Sequence, residues 1–324
     1  MKKFLKTLFL NFRHVIDVLL SFVAIPAGLA LLLYRRIGSR RLPITSGLLK
    51  RIGIFPIRNH YYEPLFDDRQ LVTPLDTPRS LPGIDFDVQS QLDLLQRMTL
   101  ASEFREWLQQ QADGSRESFR FNNAGFEPGD AEFLFQVVRH FRPNKIIEIG
   151  SGSSTKIARK ALSLNAQDDG LKARHICIEP YEQPWLETFG EIELIRSKVE
   201  DCDIEWRDSL ASGDLLFIDS SHMIRPQGDV LYDYLNIIPQ LQSGVLVHVH
   251  DIFTPRDYLD NWIRRDVRFW NEQYLLEAML GNSVRYEVVA ALNLLKHEHY
   301  PELKRVCPYL ENNHQPGSFY FRIR

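Results

Sequence analysis

The sequence predicts an α/β protein: a Rossmann-like, doubly wound, mostly parallel seven-stranded sheet ending in an antiparallel pair, with a hydrophobic helix ahead of it. Three observations carry this. From about residue 88, short apolar runs alternate with amphipathic helical runs, as in a sheet covered on both faces. Two strand-like runs follow at the end with no clear helix between them. Near the start, Val15 to Tyr34 form twenty mostly apolar residues, about the length that spans a bilayer core.

The chain has 324 residues, 44% hydrophobic, 25% charged and 11% aromatic, which excludes disordered, collagenous and repeat-built classes. Cys177, Cys202 and Cys307 lie far apart without a CxxC pair, so a disulfide scaffold and a zinc knuckle are disfavoured. The net charge of -3 hides an asymmetry: residues 1–50 carry nine Lys/Arg against Asp17 alone, and the rest of the chain is acidic. A basic, apolar front end on an acidic body points to a membrane surface and away from nucleic acid.

Three segments are expected: a basic amphipathic stretch plus membrane-anchor helix over 1–41, a linker or lid over 42–95, and the main domain over 96–324. Phe4, Leu5, Leu8, Phe9 and Phe12 recur at helical spacing with lysines between them, as in a helix lying in the interface. The apolar run is bracketed by Lys/Arg on both sides, so charge alone gives no orientation. It reads as a spanning helix, with an in-plane anchor or a helix packed on the body as alternatives. Pro43, Pro56, Pro64, Pro74, Pro78 and Pro82 break the next segment into pieces, which leaves a packed linker and a substrate lid both open.

Helical period marks "QSQLDLLQRM", "EFREWLQQ" and "AEFLFQVVRHF", the last after Pro128-Gly129-Asp130, a good helix start. "KIIEIG" (145–150) is the first strand and "SSTKIARKALSL" the helix after it. "HICIEP" (175–180), "IELIRS" (192–197), "DLLFIDS" (214–220) and "GVLVHVHD" (244–251) are the next four strands, with a helix over 230–241. "RFWNEQYLLEAML" (268–280) is helical, with Trp270 and Tyr274 read as packing. "VRYEVVAALNLL" (284–295) and "GSFYFRIR" (317–324) are the closing strands, with His297 and His299 in a loop between them.

In such sheets ligands bind at the carboxyl ends of the strands. The first strand ends in Glu148-Ile-Gly150-Ser-Gly152-Ser-Ser-Thr155. A dinucleotide fingerprint needs glycine where Thr155 stands, and a phosphate-cradling loop needs a lysine that is absent from its place. The fourth strand puts Asp219 at its end with His222 three residues on, and the fifth delivers His248, His250 and Asp251. Neighbouring strands bring Asp219, His222, His250 and Asp251 together above the sheet. His248 reads as a core histidine.

The series "EIGSGSST", "IEP" and "FIDSSH", with the antiparallel final pair, resembles the class I S-adenosylmethionine-dependent methyltransferases. Within them it is most similar to small-molecule and sugar O-methyltransferases, including the macrolide-sugar and cephalosporin-tailoring branch. The resemblance covers roughly residues 120–324. It implies S-adenosyl-L-methionine as cofactor, with Gly150, Gly152, Ser153 and Ser154 under its methionine part. Glu148 is implied to position the amino end, and Glu179 to accept from the ribose hydroxyls, with Asp219 also at the cofactor. Metal-dependent relatives bind magnesium through residues that match Asp219, His250 and Asp251. Histidine at position 250 departs from their carboxylate, which points to a softer ion such as manganese, iron or zinc, or to no metal. His222 matches the proposed general base, working with Asp219.

The expected activity is therefore methyl transfer to a hydroxyl on a small molecule, an envelope sugar or a lipid-linked glycan. The expected place is a membrane, reached through residues 1–41, with the catalytic body in the cytoplasm where the cofactor is made. Sugar-branch relatives often assemble, so a homo-oligomer is an open expectation. Two alternatives stand beside this: a non-catalytic cofactor-binding scaffold, and a metal-dependent oxygenase using His222, His250 and one carboxylate.

Overall fold

The computed structural model describes residues 2–59, 63–111, 118–123, 125–170 and 172–324, the first eleven by backbone only. The side chains of the expected interfacial stretch, Phe4 to Phe12, therefore lie outside the described residues. The chain forms two compact units, residues 1–72 and 73–324. This boundary differs from the expected one at 95/96, because residues 73–95 join the second unit. Gln91 is the physical reason: its Oε1 accepts from the Ala291 amide at 2.9 Å, while Leu94 and Leu95 are buried in the core. Arg79 adds an ion pair with Glu277 and sits 3.1 Å from Asp257.

In the first unit, α1 runs unbroken from Lys2 to Ile37, with Pro26 inside it. Its apolar part, Arg13–Ile37, is 25 residues long, and side chains such as Phe22 and Leu29 are exposed. Gly38, at φ +102°, ends the helix, and Ser39–Arg41 make a single 3-10 turn. A second helix, α2 (Pro43–Ile52), starts on proline, which needs no N–H partner there, and stops at Gly53 in the left-handed region.

The second unit is built on a seven-stranded sheet. Its strands are β1 (Lys145–Ile149), β2 (Arg174–Ile178), β3 (Glu193–Ile195), β4 (Leu215–Ile218), β5 (Leu246–Val249), β6 (Tyr286–Ala291) and β7 (Phe319–Ile323). The order is β3-β2-β1-β4-β5-β7-β6, parallel from β3 to β5, with β7 antiparallel to both its neighbours. This is the predicted mostly parallel sheet with an antiparallel pair. Its central strands β4 and β5 are buried along their whole length, as expected of a sheet covered on both faces.

The helices are α3 (Val88–Arg97), α4 (Ala101–Gln110), α5 (Asp130–Phe141), α6 (Ser153–Asp169), α7 (Trp206–Ser209), α8 (Asp229–Tyr232), α9 (Ile238–Gln240), α10 (Asp260–Arg264), α11 (Glu272–Leu280), α12 (Leu292–Glu298) and α13 (Tyr300–Val306). A π-helical turn, Asp233–Ile237, joins α8 to α9, where Pro239 removes a ladder donor.

Three readings are corrected. The run 284–295 is a strand only to Ala291, then turns helical so that Leu292, Leu294 and Leu295 enter the core. His297 therefore sits on a helix and His299 caps the next one, rather than both lying in a loop. The run 268–280 becomes helical only at Glu272, because the Asn271 and Glu272 amides donate to the His222 carbonyl at 3.1 and 3.3 Å.

Candidate active site

The loop after β1 is shaped first by its own chain. Gly150 has φ +81°, and a Cβ there would lie 1.8 Å from the Asp219 carbonyl oxygen. The Asp219 amide donates to the Ile149 carbonyl at 2.9 Å, which pins the ends of β1 and β4 together. Gly150 is thus required by the neighbouring strand. A Cβ on Gly152 would meet nothing within 4 Å, so open space lies beside it.

Glu148 is buried beneath this loop. Ser154 Oγ donates to its Oε1 at 2.6 Å and Thr155 Oγ1 to its Oε2 at 2.9 Å, with His175 Nε2 also 2.9 Å from Oε2. Both oxygens are engaged, so Glu148 braces the start of α6 instead of reaching out to a ligand's amino end. Ser154 is occupied by that bond. Ser153 is half-buried at the first position of α6.

A cavity of about 790 Å³ opens at the carboxyl ends of β1, β2 and β4, lined by Gly150, Glu179, Asp219 and Arg225 among others. Its size suits a cofactor-sized molecule. Ser153 and Ser154 do not line it. Glu179 Oε1 accepts from the Tyr181 and Glu182 amides at 2.9 and 2.8 Å. Its position is therefore fixed by its own turn, and Oε2 makes neither of these bonds. Asp229, which the sequence did not single out, lies on the same wall and accepts from the Ser221 amide and hydroxyl at 2.8 and 2.7 Å.

Beside Asp219 stands His222, 5% exposed. Its Nδ1 lies 2.8 Å from Glu272 Oε2, and its Nε2 lies 3.3 Å from Asp219 Oδ1 and 3.5 Å from Asp251 Oδ2. His222 and Asp251 both have left-handed backbones, at φ +60° and +57°. Such conformations in bulky or charged residues are held only by a well-determined surrounding. Trp270 packs on the His222 ring with centroids 4.2 Å apart, and Arg268 lies over the rings of Trp270 and Trp262. Trp270 is thus a packing residue, as expected, but one that seats the site histidine.

Burial works against an imidazolium at His222, but Asp219, Glu272 and Asp251 outweigh it and raise its pKa well above the ordinary value. Burial pushes Asp219 up, but the positive charges of His250 and His222 hold its carboxyl below the usual range. Asp251 is raised, chiefly by burial. Asp219, Asp251, Glu272, His222 and His250 form one charge cluster in which each group's proton depends on the others.

The expected metal set of Asp219, His250 and Asp251 does not form. The ligand atoms that converge belong to Asp219, His222 and Asp251, all within 4.8 Å of one another. His250 Nε2 lies 3.3 Å from the Gly125 carbonyl and 3.6 Å from Asp251 Oδ1, with its ring packed on Phe126, so it borders the converging set without joining it. His222 and His250 both approach Asp251, at 3.5 and 3.6 Å, but no two histidines and one carboxylate of the oxygenase alternative converge within 4.8 Å among the described residues. His248 is a core residue, as expected. It bonds Ser318 Oγ at 3.0 Å between the rings of Phe217 and Tyr320, and burial drives its pKa well down. A second converging group, Glu148, His175 and Cys177, is a closed hydrogen-bonded network inside the sheet. Glu272 escaped the sequence reading: no motif spacing links it to a histidine fifty residues earlier.

Residues 147–252 match a family model described as a methyltransferase domain. An uncharacterized protein of Archaeoglobus fulgidus is 28% identical over 167 residues, covering 48% of this chain and 74% of that protein. Among solved structures, a Burkholderia thailandensis 1,6-didemethyltoxoflavin-N1-methyltransferase with bound 1,6-didemethyltoxoflavin and S-adenosylhomocysteine aligns with 76% of this chain and 94% of its own, at 12% identity and a TM-score of 0.31. A SAM-dependent methyltransferase from Archaeoglobus fulgidus aligns with 59% of this chain and 92% of its own, at 12% identity and a TM-score of 0.30. The family match runs from within β1 to just past β5, so it contains Gly150, Glu179, Asp219, His222 and Asp251, and it supports a methyltransferase domain in this chain.

Proposed function

We propose that the protein is an S-adenosylmethionine-dependent methyltransferase acting on a hydroxyl of a small molecule, an envelope sugar or a lipid-linked glycan, and that α1 anchors it in a membrane. The observation that carries this reading is the cavity between Glu179 and Asp219, with His222 three residues beyond Asp219. The cofactor supplies an electrophilic methyl group on a sulfonium. The chain must hold that cofactor and take a proton from the acceptor. Glu179 suits a vicinal diol, because a fixed carboxylate accepts from both hydroxyls. Open space at Gly152 suits the approach of a ligand to the backbone.

His222 is the proposed base in its neutral form, and because the three carboxylates hold its pKa above the ordinary value, turnover should rise with pH as the imidazolium is lost. Glu272 at Nδ1 fixes which nitrogen faces the site, and Nε2 is left toward Asp219 and Asp251. Titration of S-adenosylmethionine into the purified protein tests the cofactor. Micromolar binding is expected, weakened about tenfold to about a hundredfold in Glu179→Ala, as for a lost hydrogen bond to a charged group. No binding by folded protein would defeat the reading and bring the scaffold alternative forward.

The converging atoms of Asp219, His222 and Asp251 favour a second role for the same histidine. Two carboxylates and one imidazole suit manganese or iron(II), and with water also magnesium. A bound divalent cation would lower the pKa of an acceptor hydroxyl. Glu272 is then the outer carboxylate that holds the His222 tautomer for ligation. Nε2 cannot both ligate and accept a proton. Manganese binding that survives His222→Ala would leave His222 as base; its loss would make His222 a ligand.

A further inference from the structure

The segment after α1 carries features that the methyl-transfer reading does not use. Residues 18–62 contain no Asp or Glu, yet Arg35, Arg36, Arg40, Arg41, Lys50, Arg51 and Arg58 fall within them. Arg35 and Arg58 turn to Glu63. The other five pair with no carboxylate among the described residues. On α2, Ile44, Leu48 and Ile52 recur every fourth residue and are 88%, 57% and 59% exposed. They make one apolar stripe, with Lys50 on the opposite side of the helix. Ile54 and Phe55 follow the helix and are also exposed, with the Phe55 ring edge-on to Tyr34.

The level of α2 is fixed by its link to α1. Tyr34, in the last turn of α1, pairs with Ser46 Oγ at 2.6 Å, and Ser46 Oγ lies 2.8 Å from the Ser39 carbonyl. The 25 residues from Arg13 to Ile37 extend about 37 Å as a helix, enough to cross a hydrocarbon core of about 30 Å. If α1 crosses, its end lies among lipid headgroups, and α2 lies there with it.

We infer that residues 38–58 form an interfacial collar that rests on an anionic lipid leaflet, its Ile44–Leu48–Ile52 stripe among the upper acyl chains and its arginines and Lys50 among lipid phosphates. The inference rests on the anchoring reading of α1. Charge complementarity selects this occupant: an apolar stripe in a segment whose cations, Arg35 and Arg58 apart, meet no carboxylate among the described residues fits negatively charged lipid, whereas a second copy of the same segment would set cation against cation.

The test uses the full chain in lipid nanodiscs with a nitroxide at Leu29→Cys, Leu48→Cys or Lys50→Cys. The background is Cys202→Ser, since Cys177 and Cys307 are buried. Relaxation by oxygen reports lipid and relaxation by an aqueous nickel chelate reports water. Labels at positions 29 and 48 should respond to oxygen and be shielded from nickel, and the label at 50 should respond to nickel. Adding phosphatidylglycerol to phosphatidylcholine discs should lower nickel access at 48 severalfold, and Arg40, Arg41, Lys50 and Arg51 all changed to Gln should abolish that lipid dependence. A lipid-embedded 29 with a nickel-accessible 48 overturns the collar and leaves the anchor. A nickel-accessible 29 overturns both. Shielding of 48 from both reagents means a protein covers the stripe, and an unchanged 48 on adding phosphatidylglycerol removes the anionic preference; either result overturns the proposal.

Discussion

Alanine at Gly150 should be among the most damaging small substitutions in the protein, and alanine at Gly152, two residues away, among the mildest for folding. At Gly150 two penalties add. The φ of +81° places an L-residue in the left-handed region, at about 1–2 kcal/mol. The new Cβ would stand 1.8 Å from the Asp219 carbonyl oxygen, well inside any real contact. The carbonyl must therefore retreat by more than 1 Å, on the order of the gap to ordinary contact. That retreat strains the Asp219–Ile149 bond of 2.9 Å, at about 1 kcal/mol or more. The sum is about 3 kcal/mol, or roughly 6–12 °C in Tm for a domain of this size. Because Asp219 moves with its carbonyl, cofactor affinity should fall as well. Gly152→Ala meets no atom within 4 Å, so its Tm should stay close to the parent while cofactor binding weakens if the ligand uses that space. Differential scanning fluorimetry and calorimetric titration read both. Equal Tm for the two variants would refute the argument that Gly150 is set by strand packing.

Glu272→Gln should keep the shape of the site and lower divalent-cation affinity about 10- to 100-fold, measured by manganese titration, because the outer carboxylate no longer polarises His222. The Glu132 carboxyl, raised by burial to about 7 against 4.5 for an exposed one, should make stability fall with rising pH: its contribution is full below about 4.5 and is lost as pH passes about 7, a span of about 3 kcal/mol. Denaturant melts of Glu132→Gln should show that slope flattened, and an unchanged slope would assign it to other groups. Arg79→Ala should cost about 2–3 kcal/mol by stranding the buried Glu277 carboxylate, and should expose residues 73–95 to limited proteolysis sooner than the sheet.

The parallel strands were legible because a strand buried on both faces reads as an almost continuous apolar run, as "LLFI" does and as "LVHV" does but for His248, whose ring bonds Ser318. Glu179, Asp219, His222 and Asp251 were legible because strand ends are where such a sheet can hold a ligand. What failed has a common cause. "ALNLL" is apolar enough for either strand or helix, and only the need to bury Leu292 and Leu295 settles it. The exchange of His250 for His222 in the converging set depends on positive φ at His222 and Asp251, which aims side chains in a way period-two alternation cannot foresee. Glu272 reaches the site through tertiary packing alone, from the helix that begins where its own amide meets the His222 carbonyl.

The place of β7 in the sheet ties the site to the far edge of the fold. β6 meets the sheet only through β7, so these two strands must dock and fray together. The residues leading into β7 are also structural partners of the site. The Gly317 carbonyl accepts from the Ile252 amide at 2.8 Å, and the Gly317 and Ser318 amides donate to Asp130 at 3.3 and 2.8 Å. A Cβ on Gly317 would come within 3.0 Å of the Asp251 Cα. Opening of the β6–β7 edge therefore releases the turn that presents Asp251. In an exchange experiment the Ile252 amide should share its opening free energy with β7, not with β4. Substitutions at that edge, far from any ligand, would then read out as a loss of order at the Asp251 carboxylate.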